Sequence, residues 1–197
     1  MSRYAQLAYT DSVQRFQAEQ GSAAANARRL GGDSERDLIT ANEAAFIESR
    51  DGFYLGSVSE TGWPYVQFRG GPPGFVHVLD EHRLAFAEVR GNRQYISDGN
   101  IRADGRVSLF FMDYARQARL KLFGRASLMD TSDELHERLM STRTDGRVER
   151  LVLIEVEAFN WNCPQHITPR FTADEVRQYV SALHAEIASL REQLKGT

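Results

Sequence analysis

Two hydrophobic periods divide this chain. Between Phe53 and Val156 apolar and polar residues alternate in short runs, the period of a strand buried on one face, whereas both ends repeat at helical spacing. Strands are predicted at Phe53–Ser59, Tyr65–Gly70, Phe75–Leu79, Arg83–Glu88, Val107–Met112, Arg119–Leu128 and Arg150–Val156. Turns fall at Glu60-Thr61-Gly62 and Asp80-Glu81-His82, and the stretch from Arg90 to Gly105 reads as irregular. Closely spaced antiparallel strands, with helices at both ends and one in between, point to a mainly β, α+β fold: a small barrel with attached helices.

The helical ends carry their own punctuation. Thr10 or Asp11 can cap a helix bearing Val13, Phe16 and Gln17, which meets Gly21 and resumes through Ala23, Ala24 and Ala25 before Gly31-Gly32-Asp33-Ser34 breaks the chain. Thr40 and Glu43 have capping-box spacing ahead of Ala44, Phe46 and Ile47. Thr131 and Glu134 repeat that spacing before a helix through Met140, and Thr172 and Glu175 do so again. After Thr172, the residues Val176, Val180, Leu183, Ile187, Leu190 and Leu194 alternate four- and three-residue steps, an a/d heptad seam. Such a seam packs on another helix, its own or a partner's; a terminal helix lying on its own domain gives the same pattern. The expected organisation is a helical arm over residues 1–39, a barrel over 40–170 and a C-terminal amphipathic helix over 171–197.

Composition narrows the function classes. With 197 residues, 42% hydrophobic and 26% charged, the chain has the make-up of a globular domain able to bury a core. A net charge of −3 argues against a non-specific nucleic-acid binder. Cys163 is the only cysteine, so no intrachain disulfide or multi-cysteine zinc site is available, and the five histidines lack metal-ligand spacing; no metal site is expected. Met1-Ser2-Arg3-Tyr4 leads into polar sequence without a signal core, and no apolar run approaches the ~20 residues of a membrane helix. A cytoplasmic location, away from membranes, is the expectation. Lys121 and Lys195 are the only lysines among 24 basic residues. Arginine suits bidentate recognition of phosphates and carboxylates, although a GC-rich genome gives the same bias.

Candidate chemistry sits on two strands and one loop. In Tyr65-Val66-Gln67-Phe68-Arg69-Gly70 the period of two puts Tyr65, Gln67 and Arg69 on one face and Val66 and Phe68 on the other. Arg119-Leu120-Lys121-Leu122 likewise presents Arg119 and Lys121 together. Two such cationic rows can line an anion site, or be the wet faces of an ordinary antiparallel sheet. In Val89-Arg90-Gly91-Asn92-Arg93-Gln94-Tyr95, Gly91 lets the backbone approach a ligand. Asn92 can cap a short helix whose free N–H groups face an anion, and Arg90 and Arg93 add phosphate donors. Cys163, near Trp161 and His166, has no readable catalytic triad around it.

The succession GWPYVQFRGG, FAEVRGNRQYISDGNIRADGRVSLFFMDY and ARLKLFGRA resembles the FMN-binding split barrel of the pyridoxamine 5'-phosphate oxidase family over about Phe46 to Leu128. The resemblance implies a six-stranded antiparallel split β-barrel with an N-terminal helical arm and a C-terminal helix. It implies FMN as cofactor, with Gln67 and Arg69 beside the isoalloxazine ring and ribityl chain and Phe68 and Gly70 among the cofactor-binding residues. Asn92, Arg93 and Gln94 stand in the place of the family's Ser-Arg-Lys phosphate motif, so Arg93 would hold the phosphate. Arg119 and Lys121 match a later strand, Lys121 reaching the phosphate or facing the ring from the neighbouring subunit, and Trp161 falls where an aromatic residue meets the flavin. The family's site lies at a homodimer interface. The departures are Gln67 for Arg, Gln94 for Lys, and no Arg-x-His element; His166 and Arg170 fall near its place at a different spacing, which argues against pyridoxamine phosphate as substrate. The reading is an FMN-dependent oxidoreductase acting on an unidentified small molecule with a separate reductant, no catalytic acid or base being identifiable. The alternative is a non-catalytic flavin- or haem-binding or sensing module.

Overall fold

The computed structural model describes residues 2–31, 35–129, 136–137, 139, 146–161 and 164–195. The expected capping box at Thr131 and Glu134 and the lone Cys163 lie outside them.

The N-terminal arm is three short helices: α1 (Arg3–Ala8), α2 (Asp11–Glu19) and α3 (Ala23–Leu30). The sequence reading had none over α1. Its signal is local and small: the Ser2 hydroxyl accepts the Ala5 N–H at 3.3 Å, closing the first turn. Thr10, rather than Asp11, caps α2, accepting the Val13 N–H. The Ser2 N–H donates to the Arg29 carbonyl at 3.1 Å, tying the first helix to the third. α4 (Ala41–Glu48) begins with the expected capping box: Thr40 accepts from the helix backbone while Glu43 accepts the Thr40 N–H.

Seven strands follow, each overlapping a predicted segment: β1 (Gly52–Val58), β2 (Pro64–Gly70), β3 (Val76–Asp80), β4 (Arg83–Val89), β5 (Arg106–Asp113), β6 (Ala118–Met129) and β7 (Val148–Trp161). Among the described residues the sheet thus has the seven strands that the alternation predicted, one more than the six that the resemblance implied. All the alternating segments find hydrogen-bonding neighbours, in the order β2-β1-β5-β6-β7-β4-β3. β7, at 14 residues, is twice the length expected because it serves two partners, β4 through its first half and β6 along most of its length. Opposite it Gly124 marks a shift of register, and a Cβ there would stand 2.8 Å from the Glu155 carbonyl oxygen, so a bare backbone is needed.

The sheet wraps around an apolar interior. Phe53, Phe75, Phe86 and Phe111 are each about 99–100% buried, and the Phe53 ring lies 5.0 Å from Phe111, 5.3 Å from Phe86 and 6.0 Å from Phe75. These rings come from β1, β4, β5 and the loop before β3, so the core joins strands from both halves of the sheet order. The short helix expected after Asn92 starts later, as α5 (Ile96–Ala103), which packs against β1. It is fixed there by a buried hydrogen bond from Asn100 Nδ2 to Ser57 Oγ, 3.0 Å.

The chain divides into two compact units, residues 1–112 with 119–163, and residues 113–118 with 164–197. The second holds the tip of the β5–β6 hairpin, where Gln117 Nε2 donates to the Ile167 carbonyl at 2.7 Å and the Arg170 guanidinium lies 5.0 Å from the Tyr114 ring centre. It ends in α6 (Ala173–Lys195), opened by the third expected capping box: Thr172 N donates to Glu175 Oε2 at 2.7 Å and Glu175 N to Thr172 Oγ1 at 3.2 Å.

Candidate anion-binding site

β2 inverts the usual arrangement of a half-buried strand. Its apolar side chains, Val66 and Phe68, face outward and are 64% and 57% exposed, while Tyr65, Gln67 and Arg69 are half-buried on the opposite face. Phe68 lies over Gly52 and Gly70, where an added Cβ would meet its ring at 2.3 and 2.9 Å. The inward polar row meets the end of β4. Arg69 Nη2 and Glu88 Oε1 form an ion pair at 2.6 Å across two strands that share no backbone hydrogen bonds. Arg69 Nε is buried with no hydrogen-bond partner.

Around this pair is a pocket of about 140 Å³, lined by Gln67 and Arg69 of β2, Glu88 and Val89 of β4, Glu149 of β7, and Gly91 through Asp98 without Arg90. Two features of the chain make that loop. Asn92 Oδ1 accepts the Gln94 N–H at 3.1 Å, an Asx turn. Arg93 and Tyr95 then take left-handed backbone conformations at φ 62° and 52°, which for residues with a Cβ are held only by surrounding contacts. Those contacts are visible: Tyr95 Oη donates to Glu149 Oε2 at 2.9 Å, and the Arg150 guanidinium lies 4.9 Å from the Tyr95 ring centre. Arg150 also pairs with Asp98.

The helix cap expected at Asn92 is corrected by this geometry. The Asn92 side chain is spent on the turn, the two left-handed residues delay the helix, and Tyr95 becomes the N-cap of α5 without any side-chain capping bond. The first-turn N–H groups of α5, which have no partner within the helix, therefore open beside the pocket, where Ile96, Ser97 and Asp98 are lining residues. Arg93 reaches the same place, its Nε donating to Tyr95 Oη at 3.4 Å; that bond first, then the neighbouring charge, raises the pKa of an already permanent cation. A Cβ at Gly91 would meet nothing, so the backbone there stands open to a ligand.

The structure thus brings together six residues singled out in the sequence: Gln67, Arg69, Gly91, Asn92, Arg93 and Gln94. Gln67 Oε1 accepts from Ser97 Oγ at 3.2 Å and from Tyr65 Oη at 3.3 Å, which orients its amide. The remaining candidates lie away from this pocket within the chain. Phe68 points outward and Gly70 is not among the lining residues. Arg90 pairs with Glu149 at 3.6 Å. Lys121 is half-buried with its Nζ 5.0 Å from the centre of the Tyr4 ring of α1, and burial, then the charge of Arg119, lowers its pKa. Arg119 Nε is buried without a hydrogen-bond partner. Trp161 donates its indole N–H to Glu43 Oε1 at 2.7 Å and packs edge-on against Phe46 at 4.7 Å, joining β7 to α4.

Residues that sequence reasoning missed are the pocket's acids and Tyr95. Glu88, Asp98 and Glu149 give three carboxylates against the two guanidinium groups of Arg69 and Arg93. No spacing in the sequence joins them; the contacts are made by the meeting of β2, β4, β7 and α5. Among the described residues no group of histidine, cysteine and carboxylate side chains is placed to hold a metal ion. No helix among them is long and apolar enough to cross a membrane.

The sequence profile described as pyridoxamine 5'-phosphate oxidase matches residues 39–162, and the chain belongs to that family. No curated protein matches it. Among solved structures it is similar to HupZ from Group A Streptococcus, at TM-score 0.51 and 17% identity over 68% of this chain and 99% of that one. A variant of the same protein gives TM-score 0.51 and 16% identity over 63% and 99%. An FMN-binding protein from Syntrophomonas wolfei gives TM-score 0.49 and 9% identity over 61% and 83%. The likeness to HupZ shows a shared fold. The arm of residues 1–38 and the segment from 163 onward fall outside the family match.

Proposed function

We propose that this chain binds FMN and uses it as an oxidoreductase on a small molecule. Family membership supports the reading, and one observation carries it: the left-handed turn that sets Arg93 beside the uncapped start of α5. A permanent guanidinium and free helix N–H groups at one point are what a phosphate monoester requires. Gly91 leaves room for the approach, and the buried, unpartnered Nε of Arg69 is a donor awaiting an acceptor deeper in the pocket. Arg93 and the 95–98 backbone would hold the phosphate end; Gln67 and Arg69 would face the ribityl chain and ring. FMN supplies the hydride and electron chemistry when bound, and the chain supplies position and electrostatics.

The volume limits what one chain does alone. A pocket of about 140 Å³ is smaller than the ~300–1,000 Å³ of sites that enclose a whole cofactor-sized ligand, so it fits one end of FMN. We therefore propose a homodimer in which a second copy completes the site, Lys121 and Trp161 being the residues to look for at the ring. The outward apolar face of β1 and β2, with Tyr54 38%, Val66 64% and Phe68 57% exposed, and Trp63 76% exposed in the turn between them, supports an interface of this kind.

A second reading, a flavin- or haem-binding module without turnover, is favoured by the pairing within the pocket. Glu88 with Arg69, Asp98 with Arg150 and Glu149 with Tyr95 leave no solitary acid or base to move a proton. Titration with FMN followed by anaerobic reduction and exposure to oxygen or a quinone separates the two. Repeated cycles of oxidation and reduction with a nicotinamide donor support the enzyme. Tight binding with no turnover supports the module, and binding of neither FMN nor haem removes both.

A further inference from the structure

The last helix carries a pattern that the flavin reading does not use. All of its residues from Ala173 to Lys195 are exposed, including the whole seam: Val176 48%, Val180 41%, Leu183 40%, Ile187 44%, Leu190 51% and Leu194 79%. The four-three spacing fixes the register. Val180, Ile187 and Leu194 occupy a positions; Val176, Leu183 and Leu190 occupy d positions. The two inner a positions, Val180 and Ile187, are β-branched and the two inner d positions, Leu183 and Leu190, are leucine, the pattern that favours a parallel two-stranded coil; Val176 and Leu194 depart from it at the two ends of the seam.

The flanking charges make the same choice independently. Glu186 is at g and Arg191 at the following e, the two positions that meet between parallel helices in register. A symmetric dimer forms that contact twice. In an antiparallel pair with full overlap of the seam, g faces g and e faces e: Glu186 would oppose Glu186 of the other helix, and Arg177 would oppose Arg191, like charges at each point. Within α6 the ion pairs are Arg177 with Asp174 and Lys195 with Glu192 at 2.8 Å, which leave Glu186 and Arg191 uncommitted. Twenty-three residues make about three heptads, enough for a coil when the chains are also joined elsewhere.

We infer that α6 pairs with α6 of a second copy of this chain as a parallel, in-register two-stranded coiled coil, with Glu186 of each helix meeting Arg191 of the other.

Site-directed cross-linking of the full chain tests this without depending on any bound cofactor. With Cys163→Ser as background, Leu183→Cys and Leu190→Cys are made separately and oxidised at micromolar concentration. Parallel, in-register helices bring each d position against itself, so both variants form disulfide-linked dimers. Adding Glu186→Arg to the Leu190→Cys variant sets arginine against arginine and slows cross-linking roughly tenfold at low salt; adding Arg191→Glu as well restores the rate. The variants lie on an exposed helix, and an unchanged unfolding midpoint shows that the barrel is intact. Cross-linking at one position alone marks an antiparallel arrangement, and at neither a helix that does not pair with its own kind; either result overturns the inference, as does a charge exchange that fails to restore the rate.

Discussion

At the scale of single residues, the proposed FMN site rests most on Arg93. Its loop and the family resemblance suggested a phosphate ligand, but not the backbone conformation that presents the side chain. A left-handed backbone at Arg93 and Tyr95 has no signature in residue type, since neither is glycine or asparagine; contacts made by Glu149 and Arg150, more than fifty residues later, hold it. Arg93→Ala should weaken FMN binding about ten- to a hundredfold, the effect of removing a charge-assisted phosphate contact. Its thermal unfolding should stay unchanged because the side chain is exposed. Equilibrium titration followed by flavin fluorescence measures the first and a melting curve the second; undiminished affinity would move the phosphate site elsewhere. Asn92 shows the opposite case: the sequence marked it as a cap, and the fold spent the same side chain on an Asx turn.

Elements were more readable than their joints. Alternation marked all seven strands, and Thr-x-x-Glu spacing marked the starts of α4 and α6, because both signals are local. The extent of α5 was hidden by its own sequence, whose mixed face of Ser97, Asp98, Asn100 and Ile101 finds its polar partners on β1, β2 and β7. Trp161 illustrates a joint. Its place on β7 was legible, but its bond to Glu43 depends on how α4 is set against the sheet. Burial pushes the Glu43 pKa up, yet hydrogen bonds from Thr40, Trp161 and Asn42 outweigh it and hold the carboxylate below its ordinary value. A folded-state pKa below the unfolded one contributes stability above the unfolded value and loses it as pH falls through the folded one. Glu43→Gln should therefore cost about 1–2 kcal/mol at pH 7, with the difference from the parent shrinking below about pH 4. Urea unfolding at both pH values measures it; a deficit that persists in acid would mean the carboxylate's charge is not what α4 uses. Tyr4 makes a second joint, stacked at 4.7 Å on Phe123 of β6 and under the Lys121 ammonium. Tyr4→Ala should release α1 and speed proteolysis within residues 1–31 several-fold while the barrel resists; equal cleavage in parent and variant would show that the arm is held by other contacts.

For the whole molecule, the fold class was readable because an antiparallel barrel declares itself strand by strand, and the family resemblance pointed the same way. The meeting of β2 with β4 was not readable, since strands that share no hydrogen bonds leave no pairing signal; Arg69 and Glu88 find each other only when the sheet has curled. The two faces of β2 were readable, but not which of them turns inward; Val66 and Phe68 face outward. Together with the small pocket, that pattern supports a molecule completed by its own copy, and light scattering at micromolar concentration should give twice the 22.3 kDa chain mass. A monomer at that concentration would contradict the shared site. The most direct test of the central claim is the visible absorption spectrum of the purified protein, recorded before and after addition of FMN and removal of the excess. Bound FMN gives two flavin bands that stay with the protein; a colourless protein that retains no FMN would contradict the proposed cofactor.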